Sequence, residues 1–325
     1  MLRTLGARTL SGLVLVLAVV VLNFMLLHLA PGDAVDAFVA EGGASNEIVE
    51  AVRVQYGLDR PVHVQLLRYV QNVVQLDFGY SFHFRKPVLD VISAQLPATI
   101  MLGLSALLLS SLFGTALGVI AALRPRHATS HAVTVISLLG YATPTFWFGM
   151  IVLMVFAYWV PLFPAYGLTS VPPPREPFAL ALDVAYHLAL PSVTLTVLFL
   201  ASISRLARAS MLDALGADYV RTAEAKGLSR FSVIYKHALR NAAMPIVTMI
   251  GLQLGHLLSG AVLVETVFSL PGIGPLLFES VLRRDYPVML GILLISAFMV
   301  IVANIATDLV YRLIDPRIGH RRHAR

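Results

Sequence analysis

The chain has 325 residues, of which 58% are hydrophobic and only 13% are charged. Soluble domains carry about 25% charged residues, so this composition excludes a soluble protein and indicates a polytopic membrane protein. The absence of cysteine excludes disulfide bonds and thiolate metal sites. The formal net charge of +6 is distributed so that it favours a membrane, and not a nucleic acid, as the partner of the basic residues.

Six apolar segments are long enough to cross a hydrocarbon core, which requires about 20 residues. They are residues 10–29, 98–123, 133–160, 188–206, 244–267 and 288–313. We therefore predict an all-α fold with six transmembrane helices. The first segment is longer than the apolar core of a signal peptide, so we expect it to be retained as a span.

The predicted spans divide the chain into three parts. Residues 1–30 hold the N-terminus and the first span, and residues 31–96 form an external helical segment. Residues 97–325 form a five-helix transmembrane core with a cytoplasmic loop at 211–243. Of the 24 Lys and Arg residues, 16 lie at the two termini, in the second–third loop and in the fourth–fifth loop. The positive-inside rule therefore places both termini and the 211–243 loop in the cytoplasm.

The external segment contains two predicted helices. The first covers residues 46–55 and ends at Gly57, and the second begins at Asp59-Arg60-Pro61 and runs to about Val74. Two interpretations of this segment are open. It is either an amphipathic cap on the membrane surface or a docking surface for an external partner.

Small residues and one proline shape the predicted spans. Small residues four apart let helix backbones approach closely in lipid, and a proline inside a span bends it. The second span carries Ser110, Gly114 and Gly118, the fifth carries Gly251, Gly255 and Ser259, and the third carries Pro144.

The polar, basic loop between the fourth and fifth spans is patterned over residues 213–241. Tyr219 and Ala223 fall on one helical face, and Phe231, Ile234, Tyr235 and Ala238 fall on another. Gly227 suits the left-handed end of a first short helix, and Ser229 suits the N-cap of a second. Helices this short are marginal unless something packs on their apolar faces. We therefore predict two short helices on which a partner outside the bilayer docks.

After the fifth span, Pro271-Gly272 predicts a turn and Pro275 suits the first turn of a short helix. Asp285-Tyr286-Pro287 marks the entry to the sixth span. This helix, folded back at the outer mouth, is either a gate or simply a loop. As a gate it would involve Glu265, Phe268, Pro271 and Gly272.

The sequence contains no catalytic motif. It lacks a phosphate-binding Gly-x-x-x-x-Gly-Lys-Ser/Thr loop and a Gly-x-Ser-x-Gly motif, and His127 with His131 make too small a set for a metal site. Polar residues inside spans tend to face a cavity or a partner helix. The candidates for a translocation path are Tyr141, Gln253, His256 and Asn304. For His256, a hydrogen bond between helices is the alternative role.

The patterned loop resembles the Glu-Ala-Ala loop of permease subunits of bacterial binding-protein-dependent ABC importers. Gly227, Ala223 and Leu239 match that pattern, whereas Arg221, Thr222, His237 and Arg240 depart from it. The form Arg-Thr-Ala-x-Ala-Lys-Gly-Leu-Ser is similar to the dipeptide, oligopeptide and nickel branch. Asp77-Phe78-Gly79-Tyr80-Ser81, Val264-Glu265-Thr266-Val267-Phe268-Ser269 and Asp315-Pro316-Arg317 extend the resemblance along the chain. The long external segment resembles the first-named (B-type) permease of such systems.

This resemblance implies a transport subunit of the bacterial inner membrane that is not itself an enzyme. Its partners would be a second homologous permease in a heterodimer, two ATP-binding subunits, an external substrate-binding protein and membrane lipid. The chain itself would need no cofactor, because the partner ATPases would bind ATP-Mg. The residues that would contact an ATPase are Asp218, Tyr219, Arg221, Ala223, Glu224, Lys226, Gly227, Leu228, Ser229, His237 and Leu239.

The substrate stays open among dipeptides, oligopeptides, nickel chelates and glutathione. We expect Gly227→Pro, or a charge at Ala223, to uncouple transport from ATP hydrolysis while the protein still inserts. An ion-coupled secondary transporter is the alternative function, but it predicts an internal repeat and mid-membrane carboxylates. A membrane-embedded enzyme is disfavoured because no catalytic motif is present.

Overall fold

A computed structural model describes residues 2–29, 60–81, 83–255 and 257–314 of the chain. Those residues are mainly helical. The helices are α1 (Leu2–Leu29), α2 (Val62–Val74), α3 (Val88–Leu123), α4 (Ala128–Ala142), α5 (Thr145–Leu153), α6 (Pro177–Leu215), α7 (Asp218–Ala225), α8 (Leu239–Gly255), α9 (Leu257–Val267), α10 (Ile273–Arg283) and α11 (Tyr286–Ile314). Two π-helical segments, Met154–Trp159 and Ser232–Ala238, continue α5 and precede α8.

Within the described residues, three helices are long and apolar enough to cross a membrane: α3, α6 and the part of α11 from Tyr286 to Thr307. These agree with the predicted second, fourth and sixth spans. Helix α6 has 39 residues, which gives it a length of about 58 Å. That exceeds the roughly 30 Å hydrocarbon core, so part of α6 extends beyond it.

The third predicted span is broken. Helix α4 and the continuous run of α5 with its π-helical segment meet at an angle of 101°. Pro144 lies at this break, as the sequence predicts, and Thr143 caps the end of α4 with its backbone N–H on the Leu139 carbonyl. Pro144 has no N–H to offer the Gly140 carbonyl, which explains why α4 ends here.

The chain divides into two compact units. The first unit comprises Met1–Pro97 and Gly272–Ile301, and the second comprises Ala98–Pro271 and Val302–Arg325. Each unit has its own apolar core.

The first unit contains a feature that an all-α prediction misses. Two short antiparallel strands, β1 (Tyr80–Ser81) and β2 (Lys86–Pro87), form a hairpin just before α3. The Ser81 hydroxyl donates to Asp285 Oδ2 at 2.5 Å and accepts from the Phe84 N–H at 3.0 Å. The hairpin therefore forms because a buried hydroxyl links it to the turn before α11.

Other predicted element boundaries of the first unit are confirmed. Helix α2 follows Pro61, Pro275 lies in the first turn of α10, and Asp285 Oδ1 accepts from the Val288 N–H at the start of α11. The predicted helix at residues 46–55 lies outside the described residues. Helix α2 packs on α1, with the rings of Tyr69 and Phe24 6.0 Å apart. Burial at this contact raises the pKa of Tyr69 to about 12.

The second unit contains the close helix approaches predicted from small residues. A Cβ at Gly118 would lie 2.5 Å from the Ala207 Cβ, and one at Gly114 would lie 3.0 Å from Ile203. A Cβ at Gly251 would lie 2.2 Å from Thr307. Close approach is therefore confirmed between α3 and α6 and between α8 and α11. At Gly255 the prediction is wrong, because a Cβ there meets nothing within 4 Å.

Candidate functional site

The patterned loop begins with the short helix that the sequence predicts. Helix α7 ends at Ala225, and Lys226 caps it with its backbone N–H on the Thr222 carbonyl. Gly227 has a φ of +74°, a conformation that costs a residue with a Cβ about 1–2 kcal/mol. The glycine therefore ends α7 for the reason inferred from the sequence.

The second half of the loop differs from the prediction of a separate short helix. Helical structure begins at Arg230 and continues without a break through the π-helical segment into α8. No glycine or proline lies between Arg230 and Met244, so nothing interrupts the helix. The Ser229 hydroxyl accepts from the Ser232 N–H at 3.3 Å, as expected of an N-cap.

One face of the loop is buried against the rest of the second unit. We call this set the inner face, and its members pack with Val119 and Ala122 of α3 and Met211 and Ala214 of α6. The inner face consists of Val220, Ala223, Val233, Ile234 and Ala238.

Large apolar side chains elsewhere on the loop are left exposed by the residues that the structure describes. We call them the outer set: Tyr219 is 41% exposed, Leu228 41%, Phe231 71% and Tyr235 47%. The Phe231 and Tyr235 rings contact each other with centroids 4.6 Å apart. Because the sequence predicts that this loop lies outside the hydrocarbon core, we expect these side chains to form a binding surface.

Residues on each of the two predicted helical faces differ in exposure. Tyr219 and Ala223 are one turn apart on α7, yet Ala223 is buried beside Val220 whereas Tyr219 is exposed. Ile234 and Ala238 are likewise buried, whereas Phe231 and Tyr235 are exposed. In this second half of the loop, the π-helical hydrogen bonds of Ser232–Ala238 run from i to i+5 and widen the turn, so an α-helical periodicity assigns the faces wrongly.

The remaining predicted contact residues of the loop are polar or lie at its base. Glu224 and Lys226 are exposed, and Arg221 Nη1 lies 3.7 Å from Asp218 Oδ1. Both partners of this ion pair are largely solvent-exposed, so it contributes little to stability. His237 is half-buried, and Leu239 packs against the inner face.

The predicted path residues lie on separate helices. Tyr141 is exposed in the last turn of α4, Gln253 is half-buried on α8, and Asn304 is exposed on α11. His256 lies outside the described residues. Burial alone does not test whether they line one path, and their role stays a prediction.

The predicted gate residues differ in how deeply they are buried. Glu265 is fully buried and accepts from the Thr99 hydroxyl at 2.5 Å. Phe268 is buried in the core of the second unit, and its carbonyl accepts from the Gly167 N–H. Pro271 is exposed, and Gly272 is the N-cap of α10. Glu265 and Phe268 are thus fixed by packing in this conformation.

Sequence reasoning missed Arg205, which it grouped with the basic loop. The Arg205 Cζ lies 4.9 Å from the centroid of the Tyr141 ring, and its Nε donates to the Ala201 carbonyl at 3.2 Å. The signal that was available is an arginine inside the apolar segment 188–206, because charged residues there are rare and tend to be functional.

Metal ligands do not assemble in the part of the chain that the structure describes, where no group of three His, Asp or Glu side chains lies close enough to hold an ion. His127 Nδ1 instead accepts from the Thr129 N–H, so this side chain caps the start of α4.

Comparison with known proteins accounts for most of the chain. Residues 114–320 match the family described as binding-protein-dependent transport system inner membrane component, and residues 1–103 match the N-terminal part of such membrane components. The chain belongs to this family. It is a multi-pass protein of the bacterial inner membrane and a transport component, not an enzyme, whose system includes a substrate-binding protein and ATPase subunits.

Individual relatives agree with this assignment over nearly their full length. The chain is 41% identical over 318 residues to the di/tripeptide transport system permease protein DppB of Pseudomonas aeruginosa, covering 94% of this chain and 95% of the relative. It is 39% identical over 323 residues to the dipeptide transport system permease protein DppB of Escherichia coli K12, with 94% and 95% covered. The oligopeptide transport system permease protein AppB of Bacillus subtilis is 38% identical over 315 residues, with 96% and 98% covered.

Proposed function

We propose that this chain is a B-type permease subunit of an ATP-driven peptide importer. The relatives similar to it over nearly their whole length are named dipeptide, di/tripeptide or oligopeptide permeases, which supports a peptide as the cargo. The chain would cross the membrane six times with both termini in the cytoplasm. It would pair with a second permease, receive cargo from an external binding protein, and use two ATPases that bind ATP-Mg.

The outer set supports coupling to those ATPases. Four large apolar side chains stand on an otherwise polar, basic loop, with Phe231 71% exposed. Burying a Val, Leu, Ile, Phe or Met side chain contributes about 1.5–3 kcal/mol. A groove that covers Leu228, Phe231 and the two tyrosines would therefore hold the loop firmly, while Arg221, Lys226 and Lys236 would add charge complementarity.

The inner face gives this attachment a mechanical consequence. Because Val220, Ala223 and Ile234 pack against α3 and α6, a force on the outer set is transmitted to the long helices. Shifting a two-state equilibrium from 1:99 to 99:1 requires about 5.5 kcal/mol of differential binding. Closure of the two ATPases on ATP can supply that bias if they bind the loop more tightly in one state.

The test is Phe231→Ser in the assembled importer. We expect at least a tenfold loss of ATP-driven uptake and weaker retention of the ATPase during purification, with thermal stability of the permease changed by less than about 0.5 kcal/mol. The matched control is Phe178→Ser, because Phe178 is also a highly exposed phenylalanine but lies at the start of α6. Wild-type uptake and ATPase retention by Phe231→Ser would overturn the coupling role.

The cargo is tested separately with the complete complex in proteoliposomes. Radiolabelled dipeptide, oligopeptide, glutathione and a nickel chelate are each supplied with the cognate binding protein. We expect ATP-dependent accumulation of a peptide. Accumulation of only the nickel chelate or glutathione would replace the peptide assignment, and uptake driven by an ion gradient without ATPases would overturn the importer.

A further inference from the structure

Arg205 is held in a defined position on the surface of the second unit. It is exposed, whereas its neighbours Ile203, Ser204 and Ala207 are buried between helices. Its Nε donates to the Ala201 carbonyl, and its guanidinium stacks on the Tyr141 ring. Both contacts fix the group on the side of α6 that faces α4.

Arg205 lies inside the apolar segment 188–206, and its guanidinium stacks on Tyr141, which is in the last turn of α4 next to the helix break. An arginine that only anchors a helix at the membrane surface extends toward the polar side. Arg208 shows that alternative, since its Nε donates to the Ser130 hydroxyl in the first turn of α4, next to the basic residues Arg124 and Arg126.

No carboxylate neutralises Arg205 among the residues that the structure describes. The ion pairs formed there join His83 to Glu279, His187 to Asp183 and Arg221 to Asp218. The Nε of Arg205 donates to the protein, and no carboxylate of the described residues binds the fork formed by its Nη1 and Nη2 groups. This fork matches the two oxygens of a carboxylate.

The helix break beside Arg205 leaves polar backbone exposed at the same level. Tyr141, Ala142 and Pro144 are exposed, and Pro144 cannot donate to the Gly140 carbonyl. Non-helical backbone at membrane depth is tolerated only where it is buried in protein or lines a water-filled cavity. An exposed break next to an exposed guanidinium therefore requires either water or another polar partner at this position.

From these observations we infer that Arg205, positioned by Tyr141, binds the terminal carboxylate of the transported peptide inside the translocation path. This inference rests on the proposed peptide cargo. It adds a specificity-determining residue, because a free carboxylate accepts two charge-assisted hydrogen bonds from the fork whereas a C-terminal amide does not.

The experiment compares uptake of one peptide as free acid and as C-terminal amide by the complete importer in proteoliposomes. The pair is chosen so that the binding protein holds both forms with equal measured Kd. We expect the wild type to prefer the acid. Arg205→Gln should reduce the acid-to-amide ratio about tenfold or more, through KM for the acid rather than through the rate at saturation. Arg205→Lys, which keeps the charge and loses the fork, should give an intermediate ratio.

Control variants separate this role from topology and assembly. Arg208→Gln should lower the yield of inserted permease without changing the acid-to-amide ratio. Tyr141→Leu should lower the ratio because the guanidinium loses its support, and Tyr141→Phe should keep it. If Arg205→Gln does not assemble, Arg205→Lys decides, because the lysine variant still provides a charge at this position.

The inference fails if the wild type shows no preference for the acid, or if both Arg205 variants keep the wild-type ratio. It also fails if uptake of acid and amide falls equally, since that outcome would indicate pairing with an acidic residue of the second permease. In each case ATP-driven peptide uptake by the wild type persists. Absence of such uptake with any peptide would instead contradict the proposed function.

Discussion

The inner face and the outer set occupy the same loop, yet they differ in what covers them. Val220 and Ala223 are buried against α3 and α6. Tyr219, which directly precedes Val220, is 41% exposed. The inner face is part of the core of the second unit, whereas the outer set is exposed and is the interface that we propose. Substitutions in the loop should therefore divide into those that unfold it and those that only disconnect it from a partner.

The largest effect should come from a charge on the inner face. Ala223→Asp would bury a carboxylate among Val220, Val233 and Ile234, with an effective penalty of several kcal/mol. We now expect loss of folded protein, not uncoupling in an inserted protein, because the side chain faces the core. The measurement is the thermal melt of purified permease complex.

The matched control is Ala225→Asp, two residues along the same helix at an exposed position. A carboxylate near the end of α7 opposes the helix dipole by only about 0.3–1 kcal/mol. Equal losses of stability in the two variants would show that the inner face is not buried as described.

A second large effect should come from the helix crossing that supports the inner face. Gly118 precedes Val119 and Ala122, and an alanine there would place its Cβ 2.5 Å from the Ala207 Cβ and 2.7 Å from the Ser204 carbonyl oxygen. Overpacking of this kind costs about 1–3 kcal/mol. Gly255→Ala, which meets nothing within 4 Å, carries the same helix-propensity gain without the overlap. The close helix crossing would be contradicted if the melting temperature of Gly118→Ala were no lower than that of Gly255→Ala.

The sequence was sufficient for the C-terminal end of α7 and for the close approach at Gly118, because each follows from the missing side chain of a glycine. It was insufficient for the faces of the second half of the loop, since the π-helical turn at Ser232–Ala238 shifts the periodicity on which the assignment rested. It also missed Arg205, whose partner Tyr141 is 64 positions earlier in the chain and is brought close only by the packing of α4 on α6. Long-range contacts of this kind leave no periodic pattern.

A smaller effect is expected at Gly227, which forms the elbow between α7 and the helix that begins at Arg230. The Cβ of Gly227→Ala would meet nothing within 4 Å, so this variant causes no steric overlap. It does force alanine to adopt a φ of +74°. That conformation costs about 1–2 kcal/mol. Gly227→Asn should cost less, because asparagine adopts left-handed conformations more readily. An alanine variant as stable as the asparagine variant would indicate that the elbow adopts another conformation.

The smallest effect is expected at Ser229, whose hydroxyl accepts from the Ser232 N–H at 3.3 Å. N-cap serines contribute about 0.5–2 kcal/mol, and this long, exposed hydrogen bond belongs at the lower end. Ser229→Ala should lower the melting temperature slightly, whereas Ser229→Asp should not, because aspartate offers an equivalent acceptor at a helix N-terminus. A large uptake defect in Ser229→Ala with an unchanged melt would place this hydroxyl in the interface with the outer set, since only a lost partner contact reduces transport without reducing stability.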